Sequence, residues 1–280
     1  MKKKICVIGG GGFLGSHLVD ELVLTNKFEV HVLDYKKKYE NKKAKYFYSD
    51  IRDKNKLNKF LKRTHTVYHF AAQADIEESK LKVIDTLDIN ILGTANILNS
   101  CILNKVKRII FSSSIYVYSN KGGFYRISKQ TCESLIEEFC KDSKLKYTNL
   151  RFGSLYGPRS DSRNFIYKTL DEAIKNKKIV RRGDGDEIRQ YIHVKDAAKS
   201  CIHFLNNKYN NKNIMITGSE SIKIKDLLIM VNEILNNEIK ITYSKNKLDS
   251  HYKITPFNFR PNISEKHNLR EEISLGEGIL

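Results

Sequence analysis

Residues 7–22, VIGGGGFLGSHLVDEL, join an apolar run to a segment of helical period. Within them Gly9, Gly12 and Gly15 recur every three residues, a GxxGxxG pattern. Glycine permits a tight turn off a strand and a close approach of the backbone to a ligand, and the start of a helix presents free N–H groups to an anion. The stretch therefore predicts a strand, a loop and a helix that hold a pyrophosphate, as in dinucleotide-binding sites.

Short β-rich runs alternate with longer helical segments through the first half of the chain. After the glycine loop, Leu14, Leu18 and Leu22 recur every four residues, which predicts a helix over 13–25. Strands that alternate with helices form a parallel sheet with helices on both faces. We therefore expect an α/β protein with a Rossmann-type doubly wound parallel sheet. The predicted strands are residues 5–9, 28–34, 45–50, 66–72, 108–114 and 147–153.

The alternation changes after about residue 158, where no biased linker marks a boundary. The predicted elements there are helices over 164–177 and 224–235, a loop over 181–190, a strand–helix unit over 191–205 and a strand over 213–218. We interpret this part as a smaller C-terminal substrate lobe interleaved with the nucleotide-binding domain. The predicted division is 1–158 plus 187–207 for the Rossmann domain and 159–186 plus 208–280 for the lobe.

Composition indicates a globular protein with excess positive charge. Hydrophobic residues make up 40% of the 280, and the formal net charge is +18. No stretch approaches the ~20 apolar residues of a membrane-spanning helix, so we expect a cytoplasmic protein without a membrane partner. Lysines are spread along the chain and no nucleic-acid-binding motif accompanies them, so we expect no nucleic-acid partner. The positive field would instead attract a small polyanionic substrate.

The five cysteines and eight histidines are scattered and form neither a CxxC nor an HExxH motif. We therefore expect reduced core thiols and no metal site. His65 and His69 are four residues apart, but the strand predicted around them would separate their side chains.

Asp34 ends the second predicted strand, about 20 residues after the glycine loop. A carboxylate there accepts hydrogen bonds from the hydroxyls of an adenosine ribose and repels a 2′-phosphate. The residue therefore favours NAD over NADP, although the lysines at 36–38 could bind a phosphate.

Ser114, Tyr125 and Lys129 form the second chemical pattern. Tyr125 and Lys129 are four residues apart in a predicted helix, so they share a face. A nearby ammonium favours the phenolate, and a serine at the adjacent strand end can hydrogen-bond the oxygen being oxidised. Beside a nicotinamide, this set predicts hydride transfer to or from a sugar alcohol.

Eight sequence blocks complete the pattern. They are GGGGFLGSHL (9–18), SDIRD (49–53), VYHFAAQ (67–73), INILGTANIL (89–98), FSSSIYVYS (111–119), YRISK (125–129), LRFGSLYGPR (150–159) and GDGDEIRQYIHVKDAA (183–198). On these blocks the chain resembles, nearly end to end, the extended short-chain dehydrogenase/reductases of the NAD-dependent epimerase/dehydratase family. The resemblance implies NAD as cofactor, with NADP disfavoured, and a nucleotide-diphosphate sugar as substrate.

The resemblance also implies roles for individual residues. Ser114, Tyr125 and Lys129 would be catalytic, and Asn90 would lie in a helix behind them. The cofactor would contact Gly9, Gly12, Phe13, Leu14, Gly15, Asp34, Asp50 and Ile51 (flanking adenine), Ala71, Ala72, Tyr125 and Lys129. The substrate would contact Ser154, Arg189 and Arg260.

The sequence departs from the family pattern at the site. Ser154 replaces a customary asparagine, and the connection from Ser114 to Tyr125 is short. Ile115 and Tyr116 occupy the positions where relatives that eliminate water or decarboxylate their sugars carry acids. Neither residue replaces a carboxylate at neutral pH, so both reactions are disfavoured.

The expected activity is therefore epimerisation at C4 of a nucleotide sugar through a 4-keto intermediate, in surface-polysaccharide sugar biosynthesis. A 4-keto reductase or 4-dehydrogenase needs the same residues, and a non-catalytic NAD-binding sensor is the alternative of another class. The resemblance further implies a homodimer that pairs helices around 90–101 and 125–140. Apolar residues on more than one helix face favour this pairing: Ile97, Leu98, Ile102, Leu135, Ile136 and Phe139.

Overall fold

The computed structural model describes residues 2–244 and 251–256. Its strands are β1 (Lys3–Ile8), β2 (Phe28–Asp34), β3 (Lys45–Tyr48), β4 (Thr66–His69), β5 (Arg108–Ser114), β6 (Lys146–Phe152), β7 (Ser154–Tyr156), β8 (Lys178–Arg182), β9 (Ile188–His193), β10 (Lys212–Ile216), β11 (Ser221–Lys223) and β12 (Lys240–Ser244). Seven of them form one sheet in the order β10-β6-β5-β4-β1-β2-β3, with every neighbouring pair parallel. The strand order reverses beside β1, which is where ligands bind in such sheets.

The helices are α1 (Phe13–Leu24), α2 (Lys54–Phe60), α3 (Ile76–Leu81), α4 (Val83–Leu87), α5 (Gly93–Leu103), α6 (Gly123–Lys141), α7 (Phe165–Asn176), α8 (Val194–His203) and α9 (Ile224–Ile234). A π-helical turn, Asp88–Leu92, precedes α5, and short 3₁₀ helices cover Ile115–Tyr118 and Asn207–Tyr209. Side-chain capping fixes the residue at which several of these helices begin. For example, Asp53 accepts a hydrogen bond from the backbone of Lys56 at the start of α2.

The large sheet has a core on each face, and β1 divides its side chains between them. Cys6 and Ile8 pack with α2, α5 and α6, while Ile5 and Val7 pack with α1 and α8. This alternation follows from the two-residue period of a strand. Burying an aliphatic side chain of this kind contributes about 1.5–3 kcal/mol. The predicted α/β doubly wound fold is confirmed.

The C-terminal part adds two small sheets. One has the order β11-β9-β7 and the other pairs β12 with β8. Helices α7 and α9 cover a third core that includes Ala173, Ile179 and Leu228. The carboxyl ends of β5 and β6 open towards these small sheets, so a cavity forms between the two parts of the chain.

Several boundaries differ from the sequence-based expectation. The strand predicted over 66–72 ends at His69, because residues 70–72 turn beside the glycine loop and do not continue the ladder. The loop predicted over 181–190 contains the end of β8 and the start of β9.

The strand pairing also differs in part from the predicted division of the chain. Strand β10 pairs with β6 in the large sheet, although 208–280 was assigned to the substrate lobe. Strand β9, assigned to the Rossmann domain, pairs with β7 and β11. Pairing partners are set by contacts between distant residues, which local patterns do not encode. The two-unit division stays a prediction.

All five cysteines are buried and unpaired, in agreement with the expected core thiols. Within the part of the chain that the structure describes, no helix combines the length and the apolar character needed to cross a bilayer.

Candidate active site

The glycine loop turns between the end of β1 and the start of α1. Gly9 has φ +85°, a conformation that favours glycine. A Cβ on Gly9 would collide with the backbone nitrogen of Ala71, and one on Gly15 with the carbonyl oxygen of Gly9. Gly12 is the N-cap of α1 and offers no side-chain hydrogen bond to the first helical amides. The loop is therefore a close-packed backbone cradle that leaves the helix start available to an anion.

The carboxylate of Asp34 lies beside this cradle at the end of β2. Its Oδ2 accepts a hydrogen bond from the backbone nitrogen of Gly11 at 2.9 Å, and its Oδ1 accepts one from Tyr35 at 2.8 Å. Both bonds fix the orientation of the carboxylate. The negative charge next to the loop disfavours a phosphate at the same place.

We expect Asp34→Ser to lower the preference for NAD over NADP by about 100-fold. The variant removes both the ribose acceptor and the repulsion of a 2′-phosphate, together worth about 2–3 kcal/mol. Calorimetric titration with each cofactor measures the ratio. Asp34→Glu, which keeps the charge, is the control and should retain most of the preference. An unchanged ratio in Asp34→Ser would remove this residue from cofactor selection.

The other predicted cofactor residues surround the loop. Phe13 and Leu14 open α1, and Leu14 is buried. The structure places Ala71 and Ala72 in the turn after β4 and not within a strand, with the Ala71 nitrogen donating to Ile8 at 3.0 Å. This turn brings them next to Gly9.

Asp50 and Ile51 follow β3. The Asp50 carboxylate is paired with Arg52 at 2.7 Å, and this hydrogen bond lowers the pKa of Asp50. The Ile51 side chain is buried against Gly93. The buried Ile51 side chain is therefore not available to the expected adenine. The Asp50 carboxylate and the backbone of these two residues remain at the surface.

Ser114, Tyr125 and Lys129 converge, as their spacing predicts. Ser114 is the last residue of β5, and α6 carries the other two one turn apart. Tyr125 is half-buried and hydrogen-bonded to the Ser114 side chain. The Lys129 Nζ donates to the carbonyl oxygen of Ser112 at 2.7 Å and lies 5.8 Å from the centroid of the Tyr125 ring.

The pKa of the Tyr125 phenol differs from the expectation that the neighbouring lysine lowers it. Burial raises the pKa of Tyr125 to about 12, against the hydrogen bond with Ser114 that lowers it. Burial lowers the pKa of Lys129 to about 8. Both shifts have one cause: a desolvated site disfavours either charged form. A phenolate here therefore requires further positive charge, which Lys129 and an oxidised nicotinamide ring would supply.

Asn90 lies in the π-helical turn behind this set, as the resemblance implies. Its Nδ2 donates to Ser128 Oγ at 2.9 Å and to the Gln73 carbonyl at 3.0 Å, and its Oδ1 accepts from the Gln73 nitrogen at 2.7 Å. Asn90 thus ties α6 to the turn after β4, which lies next to the glycine loop.

Ser114 and Tyr125 open into a cavity of about 330 Å³ between the two parts of the chain. Two predicted substrate residues, Ser154 and Arg189, line the same cavity. Arg189 is largely buried, and its guanidinium stacks 4.2 Å from the ring centroid of Tyr252. The third predicted residue, Arg260, lies outside the described residues.

The sequence reasoning missed several lining residues. Tyr116 hydrogen-bonds His251 through its hydroxyl at 2.6 Å and packs 4.9 Å from the ring of Tyr252. Tyr252 in turn hydrogen-bonds Ser154. Tyr116, His251 and Tyr252 thus form a connected aromatic part of the cavity wall. No local motif around positions 251 and 252 points to this role.

Two more arginines, Arg163 and Arg181, line the cavity. Arg181 pairs with Glu187 at 2.8 Å, and Glu187 is the only acid among the described lining residues. The sequence block GDGDEIRQ (183–190) contains Glu187, and this block was the sequence signal that could have placed Glu187 at the site. Arg163 pairs with Asp161 at 2.6 Å, so Arg189 is the arginine of the cavity that has no ion pair among the described residues. Its free guanidinium makes the cavity suited to an anionic ligand such as a diphosphate.

A glycine cradle with an adjacent acid and a Ser–Tyr–Lys set at a neighbouring strand end define a dinucleotide-dependent enzyme of the short-chain dehydrogenase/reductase class. Residues 5–217 match the model of the NAD dependent epimerase/dehydratase family, and the chain belongs to this family. The predicted family, its enzymatic nature and NAD as cofactor are thereby confirmed.

Two similar proteins are named for reactions on UDP-sugars. The chain is 30% identical to a putative UDP-glucose 4-epimerase of Methanocaldococcus jannaschii, over 98% of this chain and 95% of the relative. It is 27% identical to a UDP-N-acetyl-alpha-D-glucosaminuronate decarboxylase of Bacillus cytotoxicus, over 87% and 84%.

Solved structures resemble the fold of this chain closely. The UDP-glucose 4-epimerase of Thermotoga maritima with UDP-glucose aligns with a TM-score of 0.83 and 26% identity, over 91% of this chain and 90% of that chain. The UDP-N-acetylglucosamine 4-epimerase of Methanobrevibacter ruminantium, in complex with UDP-N-acetylmuramic acid, aligns with a TM-score of 0.82 and 27% identity, over 92% and 90%.

The residues present fit NAD. The close-packed glycines would admit a pyrophosphate, and the fixed Asp34 carboxylate would accept from a free ribose hydroxyl. The chain belongs to a family of enzymes and carries Ser114, Tyr125 and Lys129. This combination favours a catalytic protein over the non-catalytic NAD-binding sensor.

Proposed function

We propose that the protein is a nucleotide-sugar 4-epimerase that acts through a 4-keto intermediate. The observation that carries the proposal is the cavity that Ser114 and Tyr125 line together with Arg189, whose guanidinium has no ion pair among the described residues. The names of the relatives make UDP-sugars the first substrates to test.

Tyr125 is the proposed base for the sugar 4-hydroxyl. The phenolate accepts the hydroxyl proton as C4 is oxidised, and the protonated phenol returns a proton when the 4-keto sugar is reduced. Bound NAD supplies the acceptor for the C4 hydride in the first step and the donor in the second. Ser114 donates a hydrogen bond to the sugar oxygen and holds it next to the phenol. Lys129, one turn along α6, supplies the positive charge that favours the phenolate.

The residues after Ser114 support return of the hydride over other outcomes. Ile115 is buried, and the hydroxyl of Tyr116 is engaged with His251. Burial raises the pKa of Tyr116, so it is no base at neutral pH. Without a proton-transfer pair at these positions, water elimination and carboxylate-assisted decarboxylation lack their acid and base.

Epimerisation requires the 4-keto sugar to present its other face before reduction. Arg189 is well suited to anchor the diphosphate while the sugar turns, because its guanidinium is fixed by stacking on Tyr252 and its charge faces the cavity. Ser154 and Tyr252 are hydrogen-bonded to each other in the wall of the cavity that Tyr125 also lines, and this wall would retain the uncharged keto sugar.

Incubation with UDP-glucose, UDP-N-acetylglucosamine and their 4-epimers, followed by mass spectrometry and NMR, tests the proposal. We expect an isomer of unchanged mass with no net NADH. Accumulation of NADH with a 4-keto product would instead identify the 4-dehydrogenase, and NADH-dependent conversion of a 4-keto sugar the reductase. A dehydrated 4-keto-6-deoxy sugar as the main product would overturn the account.

We also propose a homodimer, and the structure revises the residues that support it. Ile97, Leu98 and Ile136 are fully buried in the core of one chain, and Leu135 and Phe139 pack against that core. The exposed apolar side chains near the same helices are Ile102, Leu81, Ile84, Leu92, Leu103 and Ile127. Their exposure around α3–α6 favours a partner surface there.

The cytoplasmic location and the role in surface-polysaccharide sugar biosynthesis stay predictions. A 4-epimerase product is an activated sugar, which is the form that glycosyl transfer consumes, and this chemistry supports the biosynthetic role.

A further inference from the structure

A second cavity, of about 430 Å³, lies at the opposite edge of the large sheet from the active site. It is lined by the residues that begin the strands, among them Lys3 of β1, Phe28 of β2, Thr66 of β4 and Lys146 of β6. The strands of this sheet are parallel, so their starts and their carboxyl ends lie at opposite edges. The second cavity is therefore separate from the glycine loop and from Tyr125.

The lining of this cavity is strongly basic. Lys3, Lys107, Lys144 and Lys146 contribute to it, and none of the described lining residues is acidic. Over residues 2–244 and 251–256, none of these lysines makes a salt bridge. Burial and the charges of Lys3 and Lys107 lower the pKa of His65, which also lines the cavity. A neighbouring histidine thus experiences the positive field.

Arg108 adds a charge that the fold orients but does not neutralise. The residue is only 4% exposed and lines the cavity. Its Nη1 donates to the carbonyl oxygens of Leu205 and Asn206 at 3.0 Å each, and its Nη2 donates to Thr148 Oγ1 at 2.6 Å. Every one of these acceptors is uncharged.

The Nε of Arg108 is buried and has no hydrogen-bond partner among the described residues. A buried guanidinium without a carboxylate is costly, and the burial lowers the pKa of Arg108. An anion in the cavity would compensate this charge and those of the four lysines.

We propose that this cavity binds a small phosphate polyanion, such as inorganic triphosphate or the triphosphate group of a nucleotide, at a site distinct from the active site. Arginine and lysine are the side chains that bind phosphate, and the volume is within the range of small-ligand sites. The basic residues surround a concave space at the strand starts and do not form an extended flat face, which favours a small ligand over a nucleic-acid strand or a membrane.

Calorimetric titration of the NAD-loaded protein with inorganic triphosphate, at physiological ionic strength, tests the proposal. The informative variant is Lys107→Gln with Lys146→Gln, because both side chains are exposed and line the cavity. The matched control is Lys54→Gln with Lys59→Gln on α2, which removes the same charge from exposed positions outside the cavity. Arg189→Gln reports on binding in the active-site cavity.

We expect triphosphate to bind the wild-type protein and the Lys107/Lys146 variant to bind it at least about tenfold more weakly. The Lys54/Lys59 control and Arg189→Gln should stay within about twofold of wild type. Thermal unfolding of each variant verifies that the fold is retained.

Absence of binding to wild type, or equal affinity in the Lys107/Lys146 variant, would overturn the proposal. Loss of binding in Arg189→Gln alone would assign the anion to the active site and overturn it as well. Two further titrations use vesicles containing a phosphorylated inositol lipid and a single-stranded DNA oligonucleotide. Binding of either through Lys107 and Lys146, with no affinity for free triphosphate, would replace the small ligand by a lipid headgroup or a nucleic acid.

Discussion

Tyr125→Phe is expected to lower kcat by about 10³-fold while NAD affinity stays within about threefold. The substitution removes one hydroxyl and keeps the ring that packs at 6.3 Å from Tyr116. Because the hydroxyl is the proposed acceptor of the substrate proton, its loss affects the chemical steps and not the fold. Steady-state turnover of whichever UDP-sugar the wild type converts, with calorimetric NAD binding, measures both quantities.

Tyr116→Phe is the matched control for this prediction. Tyr116 lines the same cavity, but its hydroxyl is hydrogen-bonded to His251 at 2.6 Å. We expect its kcat to remain within about tenfold of wild type. A Tyr125→Phe protein that turns over as well as the Tyr116 variant would contradict the assignment of the base.

Lys129→Met should also lower kcat by about 10³-fold, and it should stabilise the protein at neutral pH. Burial lowers the pKa of Lys129 from the ordinary lysine value of 10.5 to about 8, so its charged form costs about 3 kcal/mol in the folded state. The lost hydrogen bond to the Ser112 carbonyl offsets about 1 kcal/mol. We expect a net gain of about 2 kcal/mol in the free energy of unfolding at pH 7.

The stability difference between Lys129→Met and wild type should depend on pH. Between about pH 8 and 10.5 the unfolded chain binds the Lys129 proton and the folded chain does not, so wild-type stability gains from this residue as the pH rises. The advantage of Lys129→Met should therefore shrink across this window. Urea unfolding at several pH values measures it. A variant less stable than wild type at pH 7, or a constant difference up to pH 10.5, would show that the buried charge is not the cost.

The parts of the site that the sequence predicted are local in the chain. The GxxGxxG pattern, Asp34 at a strand end and the four-residue spacing of Tyr125 and Lys129 each depend on a single turn, strand or helix. Local geometry fixes these features because an L-residue at Gly9 or Gly15 would collide with neighbouring backbone. The alternation of strands and helices likewise fixes the fold class.

The features that the sequence did not predict depend on distant contacts. Tyr252 reaches Ser154 and Arg189 from another part of the chain, and no spacing rule links these positions. The raised pKa of Tyr125 follows from burial, which a helix pattern does not quantify. Of the apolar residues expected at a dimer surface, Ile97, Leu98 and Ile136 proved to be core, whereas Ile102 is exposed.

The uncompensated charge of Arg108 also depends on contacts between distant residues, so the sequence did not predict it. In the sequence it is the first residue of an ordinary strand. Only the structure shows that its acceptors are neutral and that four lysines from three segments of the chain line the same space.

The most direct test of the central claim is the fate of the hydrogen at C4. A UDP-sugar deuterated at C4 is incubated with the protein and NAD, and the product is analysed by NMR and mass spectrometry. The account predicts a 4-epimer of unchanged mass that retains the deuterium at C4, because the hydride removed from that carbon returns to it. Loss of the deuterium from C4, its transfer to another carbon, or a product lighter by one water would contradict the account.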